Sequence, residues 1–211
     1  MKNQGEILRQ LSLMLGELGS DMMLCEQGMQ QDQSSWRRLY VRSTFASIEG
    51  LSFFLKQHTL SNRLIECYDS FKSAGIPDLP LRDLCLLHEE SYSLKDNGKP
   101  KTSKAKLRTV PNLLFALTSF AESVGSEYKM EKDQGYTFLK DAILIRDRLT
   151  HPKDLTALIV TDEELQTVKN AFDWVRRELT RIIEQTPGVT IKEGTPPNKA
   201  NSADAKNRAA D

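Results

Sequence analysis

Histidine and cysteine are scarce in this chain, with three of each in 211 residues. Cys25, Cys67 and Cys85 lie far apart, odd in number and without a CxxC pair, which argues against a disulfide framework or a zinc site. They read as small core residues in a reducing compartment. His58, His88 and His151 are not spaced as a ligand pair, and no compact carboxylate cluster accompanies them, so neither metal nor cofactor is expected. Charge of one sign is missing too: Lys+Arg and Asp+Glu both total 29, which excludes a globally basic nucleic-acid binder. No apolar run approaches the roughly 20 residues of a membrane span. The leucine-rich N-terminus is interrupted by Gln10, Ser12 and Glu17, with no signal-peptide cleavage pattern after it. A cytoplasmic location with no membrane association is the expectation. Phosphate-binding glycine loops, serine or cysteine nucleophile motifs and fixed-period repeats are also absent.

What is present is helical periodicity. Ile7, Leu8, Leu11, Leu15, Leu18, Met22 and Met23 predict one long or two short helices, with Gly16 and Gly19 as points of bending. Tyr40, Val41, Phe45, Ile48, Leu51 and Leu55 form one stripe of a second helix, for which Ser35 is a candidate cap. The pattern repeats over 60–73 and 81–91, separated by GIPDLP, whose Gly75, Pro77 and Pro80 preclude a continuous helix. It resumes over 112–124 and 136–149. In the final helix Thr161 and Glu164 fit a capping box, and Leu165, Val168, Phe172, Val175, Leu179 and Ile182 define the buried stripe. The expectation is an all-α helical bundle forming a single domain over 1–186, with Trp36 and Trp174 as packing anchors. Residues 187–211 have little to bury and predict a disordered tail.

One segment differs in character. Between positions 95 and 108 five lysines and Arg108 stand against Asp96 alone. The Asn97-Gly98 pair is a strong turn signal, so 94–108 predicts a basic loop or small hairpin. Lys99, Lys101, Lys104 and Lys106 are candidate contacts to an RNA backbone, or simply a solubilising surface.

Two stretches invite a chemical reading. His88-Glu89-Glu90 opens like the zinc-protease HExxH pattern, but the second histidine position is Tyr92, which excludes it. ILIRDRLTHPKDL, residues 143–155, ends an apolar run just before Pro152, which disfavours helix at His151. Local physics explains Arg146, Arg148 and His151 as cations at a helix C-terminus, where they meet the dipole and the free carbonyls. An arginine and a histidine together can also serve a phosphodiester, one holding non-bridging oxygens and the other moving a proton.

RDRLTH, Arg146 to His151, resembles the R-x4-6-H signature of HEPN domains, with Asp147 as the polar residue after the arginine. The context is similar as well: the motif closes one long helix, and a short connection leads to another. The likeness is best over about 111–185, with the helix over 36–58 as an earlier bundle member and the remaining N-terminal helices as additions. Arg82 to His88, RDLCLLH, also fits the spacing, but His88 is expected within or at the edge of a helix. The resemblance implies a helical bundle, often dimeric, whose active members are metal-independent endoribonucleases, some of them toxins or defence components. It implies His151 as general base toward the ribose 2′-hydroxyl and Arg146 as phosphate clamp, with a 2′,3′-cyclic phosphate product. Asp147, Arg148 and Glu49 become supporting residues, Glu49 being placed to pair with Arg42, Arg146 or Arg148, or to remain a solvated boundary charge. Implied partners are RNA, a second copy of the chain, and a separately encoded antitoxin or nucleotidyltransferase. Some toxins of the family carry a modifiable tyrosine two residues after the histidine; here that position is Lys153. The alternative is a non-catalytic helical module for protein interaction or RNA binding.

Overall fold

The computed structural model describes the backbone of residues 4–72 and 81–188, and side chains over 9–65 and 83–188. The described chain is predominantly helical, in keeping with the all-α expectation. Helix α1, Gln4–Gly28, runs unbroken through Gly16 and Gly19. Asp32 then starts α2, Gln33–Lys72, its carboxylate accepting from the Ser34 and Ser35 amides at 3.1 and 3.3 Å. The N-terminal side-chain acceptor is therefore Asp32 rather than Ser35. The segment from Leu60 is not a separate helix but the continuation of α2, because nothing between Gly50 and Gly75 breaks it. Thr59 instead donates back to the Leu55 carbonyl at 2.9 Å, and Leu60 is buried. The GIPDLP breaker, residues 75–80, lies outside the described residues, as do positions 189–211 of the tail and the Cys67 and Arg82 side chains.

Helix α3, Leu81–His88, is shorter than its periodicity suggests, because Glu89 adopts φ 57° and turns the chain out of the helix. Strands β1, Glu90–Leu94, and β2, Pro100–Lys104, then pair antiparallel around the Asn97-Gly98 turn, where Gly98 takes φ 76°. The basic segment is thus a hairpin. Helix α4 is Thr109–Ser123, and α5, Gln134–Thr150, is N-capped by Asp133, which accepts from the Gly135 and Tyr136 amides. After a 3-10 turn at Thr156–Leu158, α6, Asp162–Glu184, opens on a complete Thr161/Glu164 capping box.

Packing follows the apolar stripes. Helix α2 presents Val41, Phe45, Ile48, Leu51 and Leu55 to the core, all essentially buried, each worth about 1.5–3 kcal/mol on removal from water. It runs parallel to α4, as the pairs Lys56/Asn112 and Asn62/Ser123 show. Helices α5 and α6 are antiparallel: Asp133 at the start of α5 meets Arg177, and Arg148 at its end meets Glu164. Both tryptophans are packing residues, Trp174 at 1% exposure and Trp36 partly buried against the core. A Cβ at Gly135 would run into the Trp174 indole, so only glycine permits that approach. Among the described residues no helix is long and apolar enough to cross a membrane.

Candidate functional site

The motif RDRLTH occupies the last turn of α5. Thr150 Oγ1 donates to the Arg146 carbonyl at 2.8 Å, the His151 amide reaches the Asp147 carbonyl at 3.0 Å, and Arg42 of α2 donates to the Leu149 carbonyl at 3.4 Å. The Leu149 carbonyl, one of those this helix end leaves without an intrahelical partner, is thereby satisfied from α2. His151 is the C-cap residue, at φ −127° and ψ 61°, followed by Pro152 as expected. Its ring is exposed and makes no hydrogen bond or ion pair among the described residues.

Arg146 faces the other way. It lines a cleft of about 750 Å3 between α2, the start of α4 and α5, together with Glu49, Arg108, Thr109, Asn112 and Asp147. Its guanidinium bonds to the Glu49 carboxylate, to Asp147 at 2.8 Å and to Thr109 Oγ1 at 3.4 Å, and it lies 5.5 Å over the Phe45 ring. Burial works against its charge, but the bond to Asp147 and the field of Glu49 outweigh this and raise its pKa above the ordinary arginine value. Of the partners open to Glu49 on sequence grounds, Arg146 is the one it takes. His151 does not line this cleft. Five residues turn an ideal helix by about 140°, so one chain presents the motif's arginine and histidine in different directions.

Arg148 and Asp147 support the motif differently. Asp147 holds Arg146 from the adjacent position, whereas Arg148 turns away to Glu164, reaching both carboxylate oxygens at 2.8 Å. The second spacing match ends at His88, the last residue of α3, whose ring is exposed. The candidate RNA-contacting lysines divide over the hairpin. Lys101 stands opposite Ser93 on one face and Lys104 opposite Glu90 on the other, with Lys99 in the turn and Lys106 beyond β2. All four are exposed and unpaired among the described residues.

A second charged cluster escaped the sequence reading. Lys56, fully buried on α2, donates to Glu89 and, at 2.7 Å, to Asn112. Glu89 thus holds the root of the hairpin, and its carbonyl accepts from the Ala105 amide at 2.7 Å. The only sequence trace is a lysine beside the apolar stripe of α2. Glu178 of α6 is likewise fully buried, taking Arg181 at 3.0 Å and the Tyr128 hydroxyl at 2.8 Å. Burial and that bond push the Tyr128 phenol well above its ordinary pKa. No group of residues suited to a metal ion occurs among the described residues.

Comparison with protein-family models, with curated proteins and with solved structures returns no match.

Proposed function

We propose that the chain is an HEPN-type metal-independent endoribonuclease acting as a homodimer, in the manner of a toxin or defence component. The observation that carries this reading is the end of α5: His151 closes the helix with an exposed, unpartnered ring, while Arg146, five residues earlier, lines an open cleft. In the proposed reaction the His151 imidazole takes the proton of a ribose 2′-hydroxyl. The oxygen attacks the adjacent phosphorus, the 5′-oxygen leaves and takes a proton from solvent water, and a 2′,3′-cyclic phosphate and a 5′-hydroxyl result. Arg146 binds the non-bridging oxygens, where a guanidinium matches both charge and geometry. A second copy answers the divergence of the two side chains within one chain, since the histidine of one protomer then works beside the arginine of the other. The exposed hairpin lysines supply cations for the backbone.

A second reading, a non-catalytic helical interaction or RNA-binding module, has one observation in its favour. The Arg146 guanidinium is already engaged by Glu49, Asp147 and Thr109, as a purely structural arginine would be.

Incubating the purified chain with single-stranded and structured RNA in EDTA separates the two. Cleavage to cyclic-phosphate ends, lost in both His151→Ala and Arg146→Ala, is the expected result. Because the His151 ring has no partner, His151→Ala should change unfolding free energy by less than about 0.5 kcal/mol, so lost cleavage would not reflect lost folding. Cleavage that persists in both variants, or never occurs, rejects the nuclease.

A further inference from the structure

We infer that Glu49 is an internal competitor for the phosphate site of Arg146, so that the site is closed to anions until this carboxylate swings out. The inference rests on the reading of Arg146 as a phosphate clamp and concerns how that clamp is regulated.

The geometry around the Glu49 carboxylate is that of a bound anion. Its Oε1 accepts from the Arg146 guanidinium and, at 3.4 Å, from the Thr109 hydroxyl. Thr109 is the first residue of α4, and the N-cap position before it, Arg108, supplies no side-chain cap. The carboxylate therefore meets one guanidinium nitrogen, Nη2, and a hydroxyl at a helix start, donors a phosphodiester oxygen would use. Glu49 and its donors come from three separate elements, α2, α4 and α5, and all line the same open cleft.

Charge points the same way. Arg146 carries one positive charge and is held by two carboxylates, Glu49 and Asp147, while Arg108 in the same lining brings the cleft to balance. The third lining carboxylate, Glu89, is matched by Lys56. A phosphate approaching Arg146 thus competes with two carboxylates that already hold the guanidinium, until one of them withdraws. Asp147 is adjacent to Arg146 on the same helix and stays beside it. Glu49 is on another helix and its side chain is half exposed. When Glu49 leaves, the Phe45 ring still backs the guanidinium and Asp147 still holds Nη1, so the arginine remains aimed into the cleft.

The test measures binding, not turnover. The probe is a fluorescent single-stranded 2′-O-methyl oligonucleotide, which has no free 2′-hydroxyl and is not a substrate for the proposed reaction. Glu49→Gln keeps the side-chain length and an acceptor for Arg146 while removing the charge; Glu49→Ala is the second variant. Both should bind the probe roughly threefold to tenfold more tightly than the parent at low salt. The gain should disappear when Arg146→Ala is added. Unchanged or weaker binding in both folded Glu49 variants overturns the inference. If Arg146→Ala still weakens binding in that case, the clamp survives and only the gate fails. If Arg146→Ala binds like its parent in both backgrounds, the clamp itself is wrong and the inference falls with it.

Discussion

Arg148 and Glu164 form a two-point contact, both carboxylate oxygens lying 2.8 Å from the same guanidinium nitrogen. Glu164 also accepts from the Thr161 amide at 3.1 Å, completing the capping box of α6. One carboxylate therefore ties the last turn of α5 to the first turn of α6 and fixes both ends of the connection that carries His151. Arg37 reinforces the far end, donating to the Val160 carbonyl at 2.9 Å and to Asp162.

The two partners should not cost the same when removed. Arg148→Ala loses a partly exposed ion pair, worth about 0.5–1 kcal/mol. Glu164→Ala loses that pair and half of a capping box, and should cost about 1–2 kcal/mol. Urea denaturation of both single variants and the double variant measures this. The double variant should be no less stable than Glu164→Ala beyond about 0.5 kcal/mol, because the pair is counted once. Fully additive losses would show that the contact does not couple the helices.

The capping box was legible in the sequence because it is local: Thr161 and Glu164 lie three residues apart, and their bonds depend on little else. The stripes of α2 and α6, the close of α5 before Pro152 and the hairpin turn at Asn97-Gly98 were legible for the same reason. The early end of α3 was not. A left-handed conformation at Glu89 is unfavourable for a residue with a Cβ, and what holds it is the ion pair to Lys56, 33 positions away. Nor does any local pattern fix the register of α2 against α5, 97 positions apart at Glu49 and Arg146. Glu49 could be named as a neighbour of the motif, but its partner and the cleft they share follow from tertiary packing.

Asp133 gives the α5 side of the bundle a pH dependence. Slight burial tends to raise its pKa, but the Tyr136 and Gly135 amides and the Arg177 guanidinium outweigh it and hold the carboxyl below the ordinary value. A depressed folded-state pKa stabilises the protein above the unfolded pKa, about 3.9 for aspartate, and that contribution disappears as pH falls through the folded value. Asp133→Ala should therefore cost about 1 kcal/mol at pH 7, most of it from the helix cap because the exposed Arg177 pair is screened. The difference should shrink steadily below about pH 4. Urea midpoints for parent and variant between pH 7 and pH 2.5 test the sign, and a gap that stays constant or widens in acid contradicts it.

The hairpin lysines make a prediction about salt. Because Lys101 and Lys104 project from opposite faces, a single strand of RNA lying on one face contacts only one of them. Each phosphate contact contributes about 0.7 to the slope of log affinity against log salt for a single strand. Of Lys101→Gln and Lys104→Gln, one should therefore lower the slope by about that amount while the other leaves it nearly unchanged. Replacing all four of Lys99, Lys101, Lys104 and Lys106 should remove less than four contacts' worth of slope. Fluorescence anisotropy with a fixed RNA over a salt series reads these slopes. Equal losses from Lys101 and Lys104 would mean that the RNA wraps the hairpin, and no loss from any of the four would reduce the basic segment to a solubilising surface.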